Sequence, residues 1–112
     1  MLPRLYRLQK NAIVPLMKMG RRYSDSPWLY FYGPSSDVIS HFCIVIRGKK
    51  IQAVERNRIK RFIRNAIIKN LEYLKPSKEV VVIARIEGIK YSETQICSRI
   101  KNSFIALSTE RK

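Results

Sequence analysis

The sequence is poor in the side chains on which protein-based catalysis and metal binding depend. It contains one histidine, two cysteines, four glycines and eight acidic residues among 112 positions. His41 has no second His or Cys at zinc-site spacing, and the glycines form no phosphate-binding loop. The carboxylates are scattered, without the close pair that general acid–base catalysis uses. These absences predict that the chain carries no active site of its own.

The sequence also lacks a cysteine pair and a long apolar stretch, and both absences bear on the cellular compartment of the protein. Cys43 and Cys97 are far apart and form no CxxC pair, so we expect two reduced thiols rather than a disulfide. No stretch approaches the roughly 20 apolar residues of a membrane span. The first 22 residues alternate basic and apolar positions without the apolar core of a secretory signal. We expect a cytoplasmic protein; a mitochondrial presequence is the alternative, because this segment is basic and free of acidic residues.

What the sequence has in excess is positive charge. Lys and Arg number 23 against 8 acidic residues, which gives a net charge of +15. An excess of this size repels itself in the compact state, and its usual counterpart is a polyanion, either a nucleic acid or an anionic membrane surface. The length and the hydrophobic fraction of 46% predict one folded domain over residues 1–112. Within it we expect residues 1–10 and 108–112 to be flexible.

The strand pattern predicts an α+β domain. The expected order is helix, strand, strand, helix, strand, helix, with one further short strand near residues 21–24. Two strands, the aromatic Trp28–Tyr32 and the apolar Val38–Arg47, are typical of an antiparallel hairpin. The strand at residues 79–85 is apolar on both faces, which predicts a central position covered from both sides. The result is a mixed, mostly antiparallel sheet packed with helices.

Three helices are predicted. The first ends at Gly20, and Pro15 indicates that it is short or starts late, because proline is tolerated only near the first turn. The second spans about Gln52–Leu74 and has apolar residues at three-to-four spacing. The third begins at a capping box formed by Ser92 and Gln95. Its predicted buried stripe comprises Ile96, Ile100, Phe104 and Leu107.

The long helix distributes its charge unevenly. Residues 55–64 read ERNRIKRFIR, with a single acidic side chain. Since a helix turns about 100° per residue, one side comprises Asn57, Arg58, Arg61, Arg64 and Asn65, and the other comprises Ile59, Phe62, Ile63, Ala66 and Ile67. A helix charged only for solubility would mix signs at four-residue spacing. The pattern predicts an apolar side packed on the domain and an outward arginine side that suits phosphates. No helix-turn-helix pair accompanies it, and the aromatic strand favours single-stranded RNA over DNA.

The run Ala53–Arg61, AVERNRIKR, resembles the signature that opens the central helix in the bacterial ribonuclease P protein component family. Arg7-Leu8 followed by Lys18-Met19-Gly20 is similar to the RL…KxG pattern of that family. Val81–Arg85 is similar to its VVIAR strand. The resemblance extends over about Arg7–Leu107, with the pieces in the family's order and spacing.

This resemblance implies two RNA-binding surfaces. In the family the central helix and the basic loop before it contact the catalytic RNA, and the corresponding positions here are Arg56, Asn57, Arg58, Lys60, Arg61, Arg64, Lys49 and Lys50. A cleft between the first helix and the sheet binds the single-stranded 5′ leader of precursor tRNA, and its positions fall at Ile13, Met17 and Phe31. Because Ile13 and Met17 lack the rings usual there, we expect weaker base stacking from this helix.

The resemblance also implies a left-handed crossover, through the central helix, between two parallel strands; the general rule is right-handed. It further implies hydrolysis of one phosphodiester in precursor tRNA, with the catalytic groups and Mg²⁺ on the RNA subunit. This chain would be the accessory subunit, a monomer in a 1:1 complex with ribonuclease P RNA. No organic cofactor, small-molecule substrate or membrane is implied.

Two other interpretations share some of these features. A structural RNA-binding protein of ribosomal type would have the same size, charge and arginine-rich helix. A cationic protein of the membrane surface would share the charge, but the folded-core pattern does not favour it. The family signature separates the first alternative from the main interpretation.

Overall fold

A mixed sheet lies between the first helix, on one face, and the other two helices, on the opposite face. The computed structural model describes residues 2–25, 27–48, 52–85 and 92–109. The strands are β1 (Arg21–Asp25), β2 (Trp28–Pro34), β3 (His41–Arg47) and β4 (Lys78–Arg85); the helices are α1 (Lys10–Met19), α2 (Ala53–Lys69) and α3 (Glu93–Thr109). Two short 3₁₀ turns lie at Arg4–Tyr6 and Leu71–Tyr73. The described part of the chain confirms the α+β class and the additional strand near residues 21–24.

The order of strands across the sheet is β1-β2-β4-β3. β2 is antiparallel to both β1 and β4, whereas β3 runs parallel to β4. The parallel pair is joined through α2, as a crossover connection requires. The left-handedness of this crossover stays a prediction.

The expected hairpin between β2 and β3 is wrong, because β4 lies between these strands. Residues 80–84 of β4 are all buried, which confirms the prediction of a central strand. A strand that is apolar on both faces loses all its contact with water only when strands flank both its edges. β2 forms its hairpin with β1 instead, with Arg21 opposite Tyr32 and Asp25 opposite Trp28.

β3 also begins later than expected, at His41 rather than Val38. The preceding residues form a turn held by Ser35, whose hydroxyl donates to the Ile39 carbonyl at 2.9 Å and accepts from the Asp37 backbone N–H at 3.1 Å. Val38 is 88% exposed in this turn. Its β-branched side chain suggested a strand, but the local hydrogen bonds of a Ser- and Asp-containing turn prevail.

The main core lies between the sheet and the helices α2 and α3. Alternation along β2 directs Trp28, Tyr30 and Tyr32 to this side. Phe42 of β3 stacks on Phe104 of α3 with ring centroids 5.7 Å apart. The predicted stripe of α3 is confirmed, since Ile96, Ile100, Phe104 and Leu107 are all fully buried.

The helix ends agree only partly with expectation. The capping box of α3 is confirmed, with the Gln95 backbone N–H donating to the Ser92 hydroxyl at 3.2 Å. α2 stops at Lys69 rather than Leu74, because the buried Asn70 side chain donates to the carbonyl of Ala66 at 2.8 Å. A 3₁₀ turn carries the chain onward.

α1 is short, at ten residues, as expected from Pro15, but the proline lies in its interior rather than in its first turn. Pro15 leaves the carbonyl of Asn11 without its helical donor. Both residues are exposed, so water can satisfy that carbonyl. None of the helices in the described ranges is both long and apolar enough to cross a bilayer.

The Phe42–Phe104 stack gives a stability prediction. We expect Phe104→Ala to lower the free energy of unfolding by about 3–5 kcal/mol, because it removes a fully buried ring and leaves a cavity. Ile105→Ala, one position along at a partly exposed site, is the control and should cost clearly less. Urea unfolding followed by circular dichroism measures both. Equal losses for the two variants would contradict the packing described for α3.

Candidate RNA interface

The basic face of α2 is defined by Asn57, Arg58, Lys60, Arg61 and Arg64. The opposite side of the helix packs in the core through Ile59, Ile63, Ala66 and Ile67, all of which are buried. Arg64 is half-buried and the other members of the basic face are exposed. The predicted two-sided helix is therefore confirmed. Packing fixes the rotation of the helix about its own axis, so the basic face points in one fixed direction.

In the part of the chain that the structure describes, no carboxylate neutralises the charge of the basic face. The ion pairs found there join His41 to Asp37 and Glu79, and Arg99 to Asp25. Arg58 lies over the ring of Phe62, with its guanidinium carbon 5.5 Å from the ring centroid. That contact orients the side chain and leaves its charge uncompensated.

Arg56 occupies a different position from its neighbours. Its Nη1 donates to the carbonyl of Ile46 in β3 at 3.1 Å, and the residue is half-buried. On a helix that turns about 100° per residue, position 56 falls close to the buried Ile63 rather than to Arg58. Arg56 therefore ties the start of α2 to the sheet edge. Its contact with RNA stays a prediction, as does that of Lys49 and Lys50, which lie outside the described residues.

A second surface lies on the other face of the sheet, and we call it the open sheet face. It is built from Leu29 and Phe31 of β2, Cys43 and Val45 of β3, and Val81 and Ile83 of β4. α1 partly covers it through Ala12, Ile13, Leu16 and Met17, with Leu8 beside them. The structure thus brings Ile13, Met17 and Phe31 into one apolar cluster, on the side away from the main core.

The open sheet face ends at three arginines that the sequence analysis missed. Arg22, Arg47 and Arg85, together with Leu29 and Ile83, line a shallow cavity of about 180 Å³. We call these three residues the arginine end. Arg47 lies opposite Arg85 in the parallel register. Arg47 and Arg85 each follow directly on the apolar run of their strand, and this shared spacing was the available signal for these two. Arg22 lies near the start of β1 after no apolar run, so no such signal marks it.

The N-terminal segment at residues 2–8 packs along the outer edge of β3. The Leu8 backbone N–H donates to the Phe42 carbonyl at 2.9 Å, and the Arg7 Nε donates to the Leu2 carbonyl at 2.9 Å. Leu2 and Leu8 are both buried. The segment expected to be loose therefore has defined contacts, although its mobility in solution stays a prediction. Arg7 joins the basic face of α2 across this edge.

The two cysteines and the acidic groups, within the described residues, bear on whether the chain holds a nucleophile or a metal site. Burial raises the pKa of the Cys43 thiol above its ordinary value, and the opposing effect of the nearby Lys60 charge is smaller. The thiol is therefore protonated at neutral pH. Within residues that the structure describes, Cys43 and Cys97 are both free, and no three His, Cys, Asp or Glu side chains come together to hold a metal ion.

The fold is that of the ribonuclease P proteins. The structure of the Thermotoga maritima RNase P protein superposes with a TM-score of 0.76 at 19% identity, covering 89% of this chain and 96% of that one. The Staphylococcus aureus RNase P protein superposes with a TM-score of 0.66 at 25% identity, covering 91% of each chain.

Sequence comparison leads to the same family. The family model described as Ribonuclease P matches residues 2–108. The ribonuclease P protein component of Clostridium kluyveri is 28% identical over 101 residues, which span 88% of this chain and 90% of that protein. The chain belongs to the ribonuclease P protein component family. Its function is therefore that of a protein subunit of ribonuclease P in tRNA processing.

The hydrogen bond of Arg56 gives a second prediction. We expect Arg56→Ala to lower the free energy of unfolding of the free protein by about 1 kcal/mol, because a charged donor to a backbone carbonyl is lost. Arg61→Ala, at an exposed position one helical turn further on, should leave that free energy nearly unchanged. Urea denaturation without RNA is the measurement. A larger loss for Arg61 than for Arg56 would contradict the distinction.

Proposed function

We propose that this protein binds the catalytic RNA of ribonuclease P through the basic face of α2 and the 5′ leader of precursor tRNA through the open sheet face. In this way it assists endonucleolytic removal of the leader, which gives the mature 5′ end of tRNA. The observation that carries the proposal is the unneutralised basic face, held at a fixed rotation by the buried side of α2.

The chemistry of the basic face favours folded RNA. Arginine binds phosphate oxygens bidentately and stacks on bases, so a rigid row of guanidinium groups suits a closely packed RNA backbone. Asn57 lies among these cations and can donate to and accept from ribose hydroxyls or base edges. Each phosphate contact releases counterions, so the affinity should fall steeply as salt rises.

The shape of the open sheet face favours a single strand. Phe31 supplies a ring, and the half-buried Ile13 and Met17 of α1 form an apolar wall beside it. A single strand lying along this face would end at the arginine end, where Arg47 and Arg85 would meet its phosphates. We therefore propose that the leader runs from α1 toward the arginine end. Stacking on one ring alone makes this contact tolerant of sequence.

The proposal assigns the chemical step to the RNA subunit. Hydrolysis would use water activated by Mg²⁺ held by RNA phosphates, since the described side chains bring together no metal-binding group. The part of the protein is electrostatic and positional: it reduces repulsion between two polyanions. We propose one protein monomer per catalytic RNA, acting in the cytoplasm.

Reconstitution tests the proposal. Adding the protein to a matching ribonuclease P RNA at low magnesium should restore cleavage of precursor tRNA at the 5′ end, because the protein's cations replace part of the magnesium that RNA folding and substrate binding demand. Gel analysis of the released leader measures this. No stimulation, combined with stable binding to ribosomes, would instead favour a structural RNA-binding protein of ribosomal type.

Two substitutions test the assignment of the two surfaces. Arg58→Ala should weaken binding to the catalytic RNA and lower the slope of log affinity against log salt by about one. Phe31→Ala should leave that binding unchanged and reduce the preference for precursor over mature tRNA by about 5-fold or more, the loss expected for one stacked base. Filter binding at several salt concentrations measures both.

Lys101→Ala is the matched charge control, because Lys101 lies on α3 over the ring of Tyr73 and away from both surfaces. It should change neither quantity. If Phe31→Ala weakened binding to the catalytic RNA while Arg58→Ala affected only the leader, the assignment would be reversed and the proposal of two separate surfaces refuted.

A further inference from the structure

A pocket of about 520 Å³ lies at the outer edge of β3, between the basic face of α2 and the N-terminal segment at residues 2–8. We call it the edge pocket. Its lining comprises Leu2, Arg7, Leu8, Phe42, Cys43, Ile44, Asn57, Lys60, Arg61 and Arg64. The volume falls within the range of about 300–1,000 Å³ that is typical of small-molecule sites. Four of these residues, Asn57, Lys60, Arg61 and Arg64, also belong to the basic face of α2, so the edge pocket adjoins that surface.

The floor of the edge pocket exposes one residue of an unpaired strand edge. Along a β-strand, the N–H and C=O groups of alternate residues point to the same edge. The carbonyls of Phe42 and Ile46 face outward, since they accept from the Leu8 N–H and from Arg56. The N–H and C=O of Ile44 therefore point outward as well. No described residue hydrogen-bonds to them on that side.

The walls of the edge pocket are strongly cationic. Arg7, Lys60, Arg61 and Arg64 line it, and none of the described residues in its lining carries a carboxylate. The remaining lining includes the buried side chains of Leu2, Leu8 and Phe42. An occupant must therefore combine negative charge with a flat or apolar body. It must also supply one donor and one acceptor to the peptide groups of Ile44.

We propose that the edge pocket binds a single unstacked nucleotide of RNA. Its base would lie against Leu8 and pair with the Ile44 N–H and C=O, and its phosphate would contact Arg7, Arg61 and Arg64. The inference rests on the proposed function for the source of the RNA. Every nucleobase carries a donor beside an acceptor on its edge.

The geometry favours a nucleotide over an acidic peptide. A peptide that adds a strand needs a run of open edge positions, because its hydrogen bonds fall on alternate residues. Here the N-terminal segment occupies the edge at Phe42, and Arg56 occupies it at Ile46. Only the peptide groups of Ile44 are open between them, which matches the edge of one base.

Mononucleotide titration of the whole protein tests the pocket. Adenosine 5′-monophosphate should shift the backbone amide resonance of Ile44 and bind about tenfold more tightly than ribose 5-phosphate, which corresponds to about 1.4 kcal/mol for the base. Both probes carry the same phosphate. Equal affinities, or tighter binding of an Asp/Glu-rich hexapeptide, would overturn the inference.

Two charge variants sharpen this titration. Arg64→Gln should weaken the binding of adenosine 5′-monophosphate several-fold, because Arg64 lines the edge pocket. Lys69→Gln, on the same helix but outside the pocket, removes the same charge and should leave the affinity unchanged. An equal effect of both variants would mean that only the overall charge attracts the nucleotide, and this would also overturn the proposal.

Cys43 lines the edge pocket and also belongs to the open sheet face, so its thiol reports on the edge pocket where RNA is present without a leader. Alkylation by iodoacetamide should slow at Cys43 and not at Cys97 of α3 when RNA fills the pocket. Protection by the catalytic RNA alone would identify that RNA as the source. Protection that appears only after precursor tRNA is added would place the leader at Cys43, and loss of this protection in Arg64→Gln would assign the contact to the edge pocket rather than to the open sheet face. Unprotected Cys43 in a complex that cleaves precursor tRNA would refute the edge pocket and leave the proposed function intact. A failure to cleave would refute the proposed function, while the mononucleotide titration would still decide the pocket.

Discussion

The burial of one side of α2 determines the chemistry of its other side. Ile59, Ile63, Ala66 and Ile67 lose nearly all their contact with water against the sheet and α3. A rotation of the helix would expose these side chains, at a cost of roughly 1.5–3 kcal/mol for each large one. That cost exceeds what repulsion among exposed, solvated cations can oppose. The hydrophobic contact therefore fixes the direction of the five polar groups that form the basic face.

The central position of β4 gives the domain two distinct faces. Because this strand is apolar on both faces, the sheet carries a main core under α2 and α3 and a smaller apolar cluster under α1. The main core supports the basic face, and the smaller cluster supports the open sheet face. The outer edge of β3, where Ile44 and Cys43 line the edge pocket, joins the two surfaces.

The spacing of apolar residues along single elements predicted more of this arrangement than did any pattern that bears on which strands pair. Periodicity identified the sides of α2 and α3, and the family resemblance put Phe31 in one cleft with Ile13 and Met17, which the structure brings into one cluster. The neighbours of β2 and β3 depended on how the whole sheet buries β4, which no local spacing encodes. The arginine end was missed for the same reason, because Arg22, Arg47 and Arg85 meet only through strand register. Arg56 belongs to the signature by sequence, yet its contact with Ile46 depends on where β3 ends.

α1 contributes no fully buried side chain and carries a proline within its span. Its contacts with the sheet are half-buried, so its detachment costs less than unfolding of the main core. The helix beside the open sheet face is thus the least firmly anchored of the three in the described domain. Small outward shifts of α1 would change how much of the open sheet face is covered and leave α2 in place. If the leader binds on the open sheet face as proposed, such shifts of α1 would let that face admit strands of different size.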